Sequence, residues 1–360
     1  MTNETVSPSI IKSRRSFLKV MSAGAAGLAF DPFNPLQNAS AALFGGGKSE
    51  VSFLVNNDIR EATLQALKPF QRKVKKDIGN KRVVIKVNAG LATPEHAMYS
   101  THADQIRGIL DFLAPIYDGD ITIAEGTAGS KISAFIGFNN YGYMPIEKEN
   151  KNVKIVDAND QPYTLKYIRT AKHHPIKLNV IDMYMDPDVY LISAAKMKTH
   201  NAVVGTYSLK NVVMGAPVCH YKKKINEKSK MHGGVDSSGG RELSYNMFLL
   251  TQMGVYPDLS VIDGVEAIEG DGPWGGEIVE HGVTVASTDF VAADRVCSDL
   301  MGIDPKYMKY LEWCEYSGLG NFDRANIKVN GPKVEDHVIK YRLNKNVEGQ
   351  VAWIHENFDE

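Results

Sequence analysis

The sequence predicts an α/β fold: a mainly parallel sheet with helices on both faces, in one large unit or two lobes, preceded by a cleaved signal peptide. Three observations predict it. Short apolar runs rich in Val and Ile alternate with longer stretches of helical spacing. The first alternation, Arg82 to Gly129, reads strand, helix, strand, turn, the order of a parallel crossover unit. One run, Asp188–Met197 (DVYLISAAKM), is mostly apolar with no alternation of polar residues, as expected of a strand covered on both faces.

In chain order, Asn57–Lys76 reads as a helix with Leu64, Leu67 and Val74 on one side and Lys73, Lys75 and Lys76 on a solvated face. Arg82–Val87 is a buried strand ending at Asn88-Ala89-Gly90. A helix follows over Thr101–Leu113, with Ile106, Ile109, Leu110 and Leu113 at helical spacing. Ile121–Ala124 is the next strand, turning through Glu125–Gly129 into another helix. Val153–Asp157, Leu165–Thr170 and Ile176–Asp182 read as strands, some of them a hairpin excursion. Asp188–Met197 runs into Lys198-Thr199-His200, and a short helix starts near Gly205-Thr206. Residues 216–240, rich in Lys, Gly and Ser, read as a long surface loop, the kind that serves as a lid or binding loop. Arg241–Met253 is helical, Leu259–Ile262 and Val283–Ala286 are strands, Phe290–Leu300 and Pro305–Tyr316 are helices, and Ala325–Val329 is a late strand.

The first 41 residues carry an address. Ser13-Arg14-Arg15-Ser16-Phe17-Leu18-Lys19 has the form of a twin-arginine export signal, with Arg14, Arg15, Phe17 and Leu18 as its motif residues. Val20–Phe30 is uncharged and too short for the roughly 20 residues that span a bilayer. Ala39-Ser40-Ala41 offers the small-x-small pattern of a cleavage site, with Ala39 and Ala41 as its small residues. The expected partners are the twin-arginine translocase and signal peptidase. The expected location is the periplasm or another extracytoplasmic space, reached already folded. Residues 42–52, with Gly45-Gly46-Gly47, form a flexible leader; Gly-Lys-Ser at 47–49 lacks the first glycine and the strand of a phosphate loop. The domain proper is assigned to 53–345 and a C-terminal tail to 346–360.

Removing the four basic and two acidic residues of the signal leaves a formal charge of about −3, against −1 for the whole chain. That balance gives no bulk attraction to nucleic acid, and no later apolar run predicts a stable membrane span. Cys219, Cys297 and Cys314 are scattered, so no iron–sulfur cluster is expected. One disulfide with a free thiol is compatible with an oxidising compartment, while Cys297 sits in an apolar helical pattern that suits a buried thiol.

Ligands of open parallel sheets gather beyond the carboxyl ends of the strands. Four such ends are polar here: Asn88, Glu125, Lys196–His200, and Asp263–Glu266. Lys196 and Lys198 share strand parity, and His200 joins them if the strand continues. With Thr199, Lys210 and Asn211 they suit a carboxylate or phosphate, Lys198 and His200 being the candidate catalytic pair. A solvated strand end with a satisfied turn histidine is the alternative. Asp263, Glu266, Glu269, Asp271 and Glu277, in a glycine-rich stretch, could hold a divalent metal, with Asp263 and Glu266 as first candidates; the spacing is not that of a calcium loop, and solvated acids are the alternative. His220 and His232 could fold over His200, or simply be exposed. Asp289 reads as a helix N-cap. Neither a Gly-x-Ser-x-Gly turn nor a dinucleotide fingerprint is present.

Several blocks together resemble the family named domain of unknown function 362. They are Val83–Asn88, Ile121–Gly126, Asp188–His200 with Gly205–Gly215, Val261–Gly276 and Val285–Val296. The resemblance covers approximately residues 50–330. It implies a site at Lys196, Lys198, Thr199, His200, Lys210, Asn211, Asp263, Glu266 and Gly272, and it assigns no reaction. Some similar proteins carry a ferredoxin-like cysteine domain, which this chain lacks. The function expected is an exported enzyme with a Lys/His site for a small anionic ligand, with or without a metal or organic cofactor. The alternatives are a periplasmic ligand-binding protein, which two lobes and a hinge would favour, and a maturation partner of a redox complex.

Overall fold

The computed structural model describes residues 48–128, 132–234 and 240–355. The segment expected to be a signal peptide (residues 1–41), residues 42–47 of the expected leader, residues 129–131, residues 235–239 of the Lys/Gly loop and residues 356–360 lie outside them.

The strands are β1 (Ser49–Val55), β2 (Arg82–Lys86), β3 (Ile121–Glu125), β4 (Val153–Asp157), β5 (Tyr163–Arg169), β6 (Pro175–Ile181), β7 (Val189–His200), β8 (Val204–Thr206), β9 (Leu259–Glu269), β10 (Glu277–Ser287) and β11 (Ile327–Asn330). The helices are α1 (Ile59–Leu67), α2 (Gln71–Ile78), α3 (Ala103–Leu113), α4 (Ala134–Asn140), α5 (Met144–Glu149), α6 (Ser208–Gly215), α7 (Gly240–Gln252), α8 (Phe290–Leu300), α9 (Lys309–Tyr316) and α10 (Val347–Val351).

Nine strands form one sheet in the order β11-β1-β10-β9-β7-β2-β3-β4, with β8 attached to the end of β7. The run β9-β7-β2-β3-β4 is parallel throughout. Only β10 and the short β8 pair antiparallel within this sheet. All twelve residues of β7 are buried, which is why its first seven, Val189–Ala195, are nearly all apolar; the polar residues cluster at its carboxyl end. Successive residues of β2 feed opposite cores. Val84 joins a cluster with α6, α7, α8 and α9, while Val83 and Ile85 join one with α1, α2 and α3. Helices therefore cover both faces, as the sequence predicts. A separate two-stranded sheet, β5-β6, is the hairpin excursion.

Four expectations need correction. The helix foreseen over 57–76 is two, because Pro69 lacks the amide to continue the first and sits in a 3₁₀ turn at Lys68–Phe70. The leader foreseen to residue 52 gives way at Ser49, where β1 adds to the sheet between β10 and β11. The acids foreseen on one glycine-rich loop are divided: Asp263, Glu266 and Glu269 lie on β9, and the turn is only residues 270–276. The tail foreseen from 346 contains α10, whose Gln350 Oε1 accepts the Val204 amide at 2.8 Å.

The Lys/Gly segment is also more than a surface loop. Cys219, His220, Glu227, Lys228 and Met231 are buried, and Lys228–His232 forms a 3₁₀ turn. Glu227 pins it to β6 by accepting the Asn179 amide at 3.3 Å. The Asp289 N-cap is present, accepting from Val291 and Ala292. Cys219, Cys297 and Cys314 are all free and buried. No helix among the described residues is long and apolar enough to cross a membrane.

Candidate functional site

Beyond the carboxyl ends of β2, β3 and β7 lies a cleft of about 410 Å³. Four lysines line it: Lys86 from β2, Lys198 from β7, Lys210 from α6 and Lys228 from the Lys/Gly segment. Each polar side chain arrives for a local reason. β2 and β3 end where the parallel register ends, leaving Lys86, Asn88 and Glu125 at the sheet's rim. β7 continues to His200 because β8 folds back on it, pairing Lys198 with Thr206 and His200 with Val204. Lys198 and His200 thus share the cleft, as parity requires. α6 begins where Asp294 of α8 accepts the Ser208 and Leu209 amides at 2.9 and 3.0 Å, which aims Lys210 and Asn211 inward.

Three of the lysines are tethered. Lys86 Nζ donates to Glu125 Oε2 at 2.8 Å, to the Val87 carbonyl at 2.7 Å and to Asn211 Oδ1 at 3.1 Å. Burial lowers its pKa, and Glu125 opposes that effect. Gly215 makes room for this side chain, since a Cβ there would stand 2.1 Å from Lys86 Cε. Lys198 Nζ donates to Asn88 Oδ1 and to the Tyr99 carbonyl, both at 2.8 Å, and lies 5.0 Å from the centre of the Trp274 ring. Burial, with Lys210 and Lys196 adding like charge, holds its pKa well below the usual lysine value. Lys228 Nζ donates to the carbonyls of Gly126 and Thr127 at 2.9 and 3.1 Å.

Lys210 differs. Its ammonium has no hydrogen-bond partner among the described residues, and burial together with Lys228 and Lys86 lowers its pKa to about 7. The imidazoles beside it are uncharged at neutral pH. Burial, then Lys210, keeps His200 well below the ordinary value, and the same two causes lower His232. The Ala202 amide donates to His200 Nδ1 at 2.9 Å, so the neutral ring carries its proton on Nε2. In this tautomer His200 offers the cleft a hydrogen-bond donor.

The other expected residues divide by place. Asn211 lines the cleft, yet its amide is spent on Lys86, Asn88 and Ser193, tying α6 to β2 and β7. Thr199 is fully buried and donates to the Gly270 carbonyl at 3.0 Å, anchoring the 270–276 turn. Gly272 packs on that same residue: a Cβ would approach the Thr199 carbonyl to 2.2 Å. Lys196 does not line the cleft; its Nζ meets Asp263 Oδ2 at 3.3 Å with both side chains buried. Asp263 is therefore spent on Lys196 and on the Val265 amide, while Glu266 is exposed. The pair expected to hold a metal forms no shared site. Among the described residues no three His, Cys, Asp or Glu converge to hold an ion.

Sequence reasoning missed Lys86, Lys228 and Trp274. A lysine inside the apolar run RVVIKV was the available signal for the first. Lys228 gave none among its neighbouring lysines. His232 lines the cleft with His200, whereas His220 is buried elsewhere, 3.0 Å from Asp160.

Comparison with known proteins bears on this geometry. The family profile described as "Domain of unknown function (DUF362)" matches residues 83–299, more than half the chain. The protein belongs to this family. The matched span holds every residue lining the cleft. "Thylakoid-associated protein sll1697" of Synechocystis sp. is 29% identical over 185 residues, 50% of this chain and 51% of that protein. The chain thus spans about half the length of that curated relative. A crystal structure of a Thermotoga maritima protein aligns at a TM-score of 0.37 and 11% identity, over 74% of this chain and 61% of that one.

Proposed function

We propose that this family member is an exported enzyme acting on a small organic anion held in the lysine cleft. One observation carries the reading: four lysines line a cavity whose one buried carboxylate, Glu125, is already committed to Lys86 and to the Ala89 and Gly126 amides. Burial, with neighbouring like charges adding to it, lowers the pKa of Lys198 and Lys210, so the cleft by itself stabilises their positive charge poorly. An anion entering it restores the charge balance and gives the Lys210 ammonium an acceptor. Lys198 and Lys228, fixed by backbone carbonyls, orient that charge. His200 Nε2–H donates to a polar atom of the same ligand, and Trp274 covers one wall. A lysine with free amine at neutral pH, beside neutral histidines, supplies acid–base and nucleophilic groups that simple binding does not need.

The sheet path runs unbroken from β11 to β4 among the described residues. That continuity disfavours the two-lobed, hinged carrier.

Calorimetric titration with phosphate, acetate and lactate tests the reading. At least one anion binds the wild type, and the Lys198→Ala/His200→Ala double variant binds it more weakly. Equal affinity in both proteins overturns it.

Export through the twin-arginine route rests on Ser13–Lys19 and Ala39–Ala41. Intact mass of protein recovered from its host tests it: a chain beginning at Ala42 agrees, and an uncut chain in the cytoplasm refutes it.

A further inference from the structure

We infer that Lys210 is an imine-forming nucleophile, and that the anion the cleft accepts carries a carbonyl group, as a 2-oxo acid does. This deepens the anion-site reading and rests on it.

Geometry separates Lys210 from the other three amines. Lys86, Lys198 and Lys228 each spend two or three donors on oxygens of the fold. Those bonds hold each nitrogen in place, so none of the three swings onto a carbonyl carbon without breaking them. The Lys210 nitrogen has no such partner among the described residues, and Lys210 lines the cleft within electrostatic reach of Lys228 and Lys86. Neighbouring cations and desolvation are the two means by which a lysine is kept as free amine for carbonyl attack. At pH 7 about half of Lys210 is free amine, against about one in 2,500 for a solvated lysine.

The step balances without an oxidant. The Nζ lone pair forms a bond to the carbonyl carbon, and the carbonyl electrons move to oxygen, which is protonated. The resulting carbinolamine loses that oxygen as water, taking both amine protons, and a carbon–nitrogen double bond remains. His200 Nε2–H donates to the carbonyl oxygen. Neutral His232, lining the cleft with Lys210, relays a proton from the nitrogen to the departing oxygen. Lys198 and Lys228 hold the carboxylate half of the ligand.

The test is reductive trapping on the intact protein. Wild type is incubated at pH 7 with pyruvate or 2-oxoglutarate and cyanoborohydride, then digested and mapped by mass spectrometry. Lactate and phosphate binding is measured in parallel by calorimetry. The expected result is a reduced adduct at Lys210, on the order of a hundredfold above any exposed lysine, and none at that site in Lys210→Arg, which keeps the charge. Anion binding without an adduct, or an adduct chiefly on Lys198 or on exposed lysines, overturns the imine assignment and leaves the anion site standing. No binding and no adduct overturns both. The wild-type map decides the matter even if the arginine variant fails to fold.

Discussion

The Lys86 ammonium and the Glu125 carboxylate meet at 2.8 Å at the rim of the sheet, with both side chains almost wholly removed from water. Removing one partner strands the other as a buried charge. Glu125→Ala is therefore expected to cost about 3–5 kcal/mol of stability, while a Lys86→Met/Glu125→Leu double variant costs much less. Urea unfolding of the two variants checks this; equal losses would show that the packing, and not the stranded charge, is what matters.

Lys210 makes stability depend on pH in a defined direction. Its folded pKa, about 7, lies below the ordinary lysine value, so between pH 7 and 10 the unfolded chain binds more protons than the folded one. Stability from this group rises with pH across that window, by up to about 1.4 kcal/mol per unit, and its cost is fully present below pH 7. Lys210→Met removes this group's share of the dependence, leaving that of Lys198 and Lys86, and is more stable than wild type at pH 7 and below. The difference between the two proteins' unfolding free energies from pH 6 to 10 is the measurement.

Anion affinity follows the opposite course. An anion without a carbonyl group, such as phosphate or lactate, favours the charged amine, so its binding takes up protons and weakens as pH rises above 7. Lys210→Met lowers the affinity at pH 7 by about tenfold to a hundredfold, the worth of a charge-assisted hydrogen bond. Calorimetry in buffers of different ionisation enthalpy reads the proton uptake directly.

His200 is expected to remain neutral from pH 8 down to pH 6, with nitrogen shifts of an Nε2–H tautomer, because burial and Lys210 both oppose its charging. Nitrogen–proton correlation spectra of the imidazoles check this. An ordinary titration near 6.5 would mean that the ring faces water.

Trp274 lies over Lys198 at 5.0 Å, so an anion reaching that ammonium alters the indole's surroundings. Its fluorescence should change on anion binding, as a difference between wild type and Trp274→Phe. Trp274→Ala weakens binding by roughly threefold to thirtyfold, the range of a partly desolvated cation–π contact.

The alternation of apolar runs and helical spacing was enough to place β2, α3, β3, β7 and α8, because burial on both faces of a parallel sheet leaves a mark that local composition carries. The same logic placed Lys198 and His200 at one strand end and Lys210 nearby. The tertiary structure decided what the sequence could not. Lys196 and Lys198 are two residues apart on one strand, yet one meets Asp263 and the other the cleft, because the β7–β9 register shifts between them. Lys86 and Glu125 lie 39 positions apart and Lys228 a further hundred along, and only parallel pairing and the infolded segment join them. Periodicity reports which face a residue takes; which charge it meets there depends on chain crossings that leave no local trace.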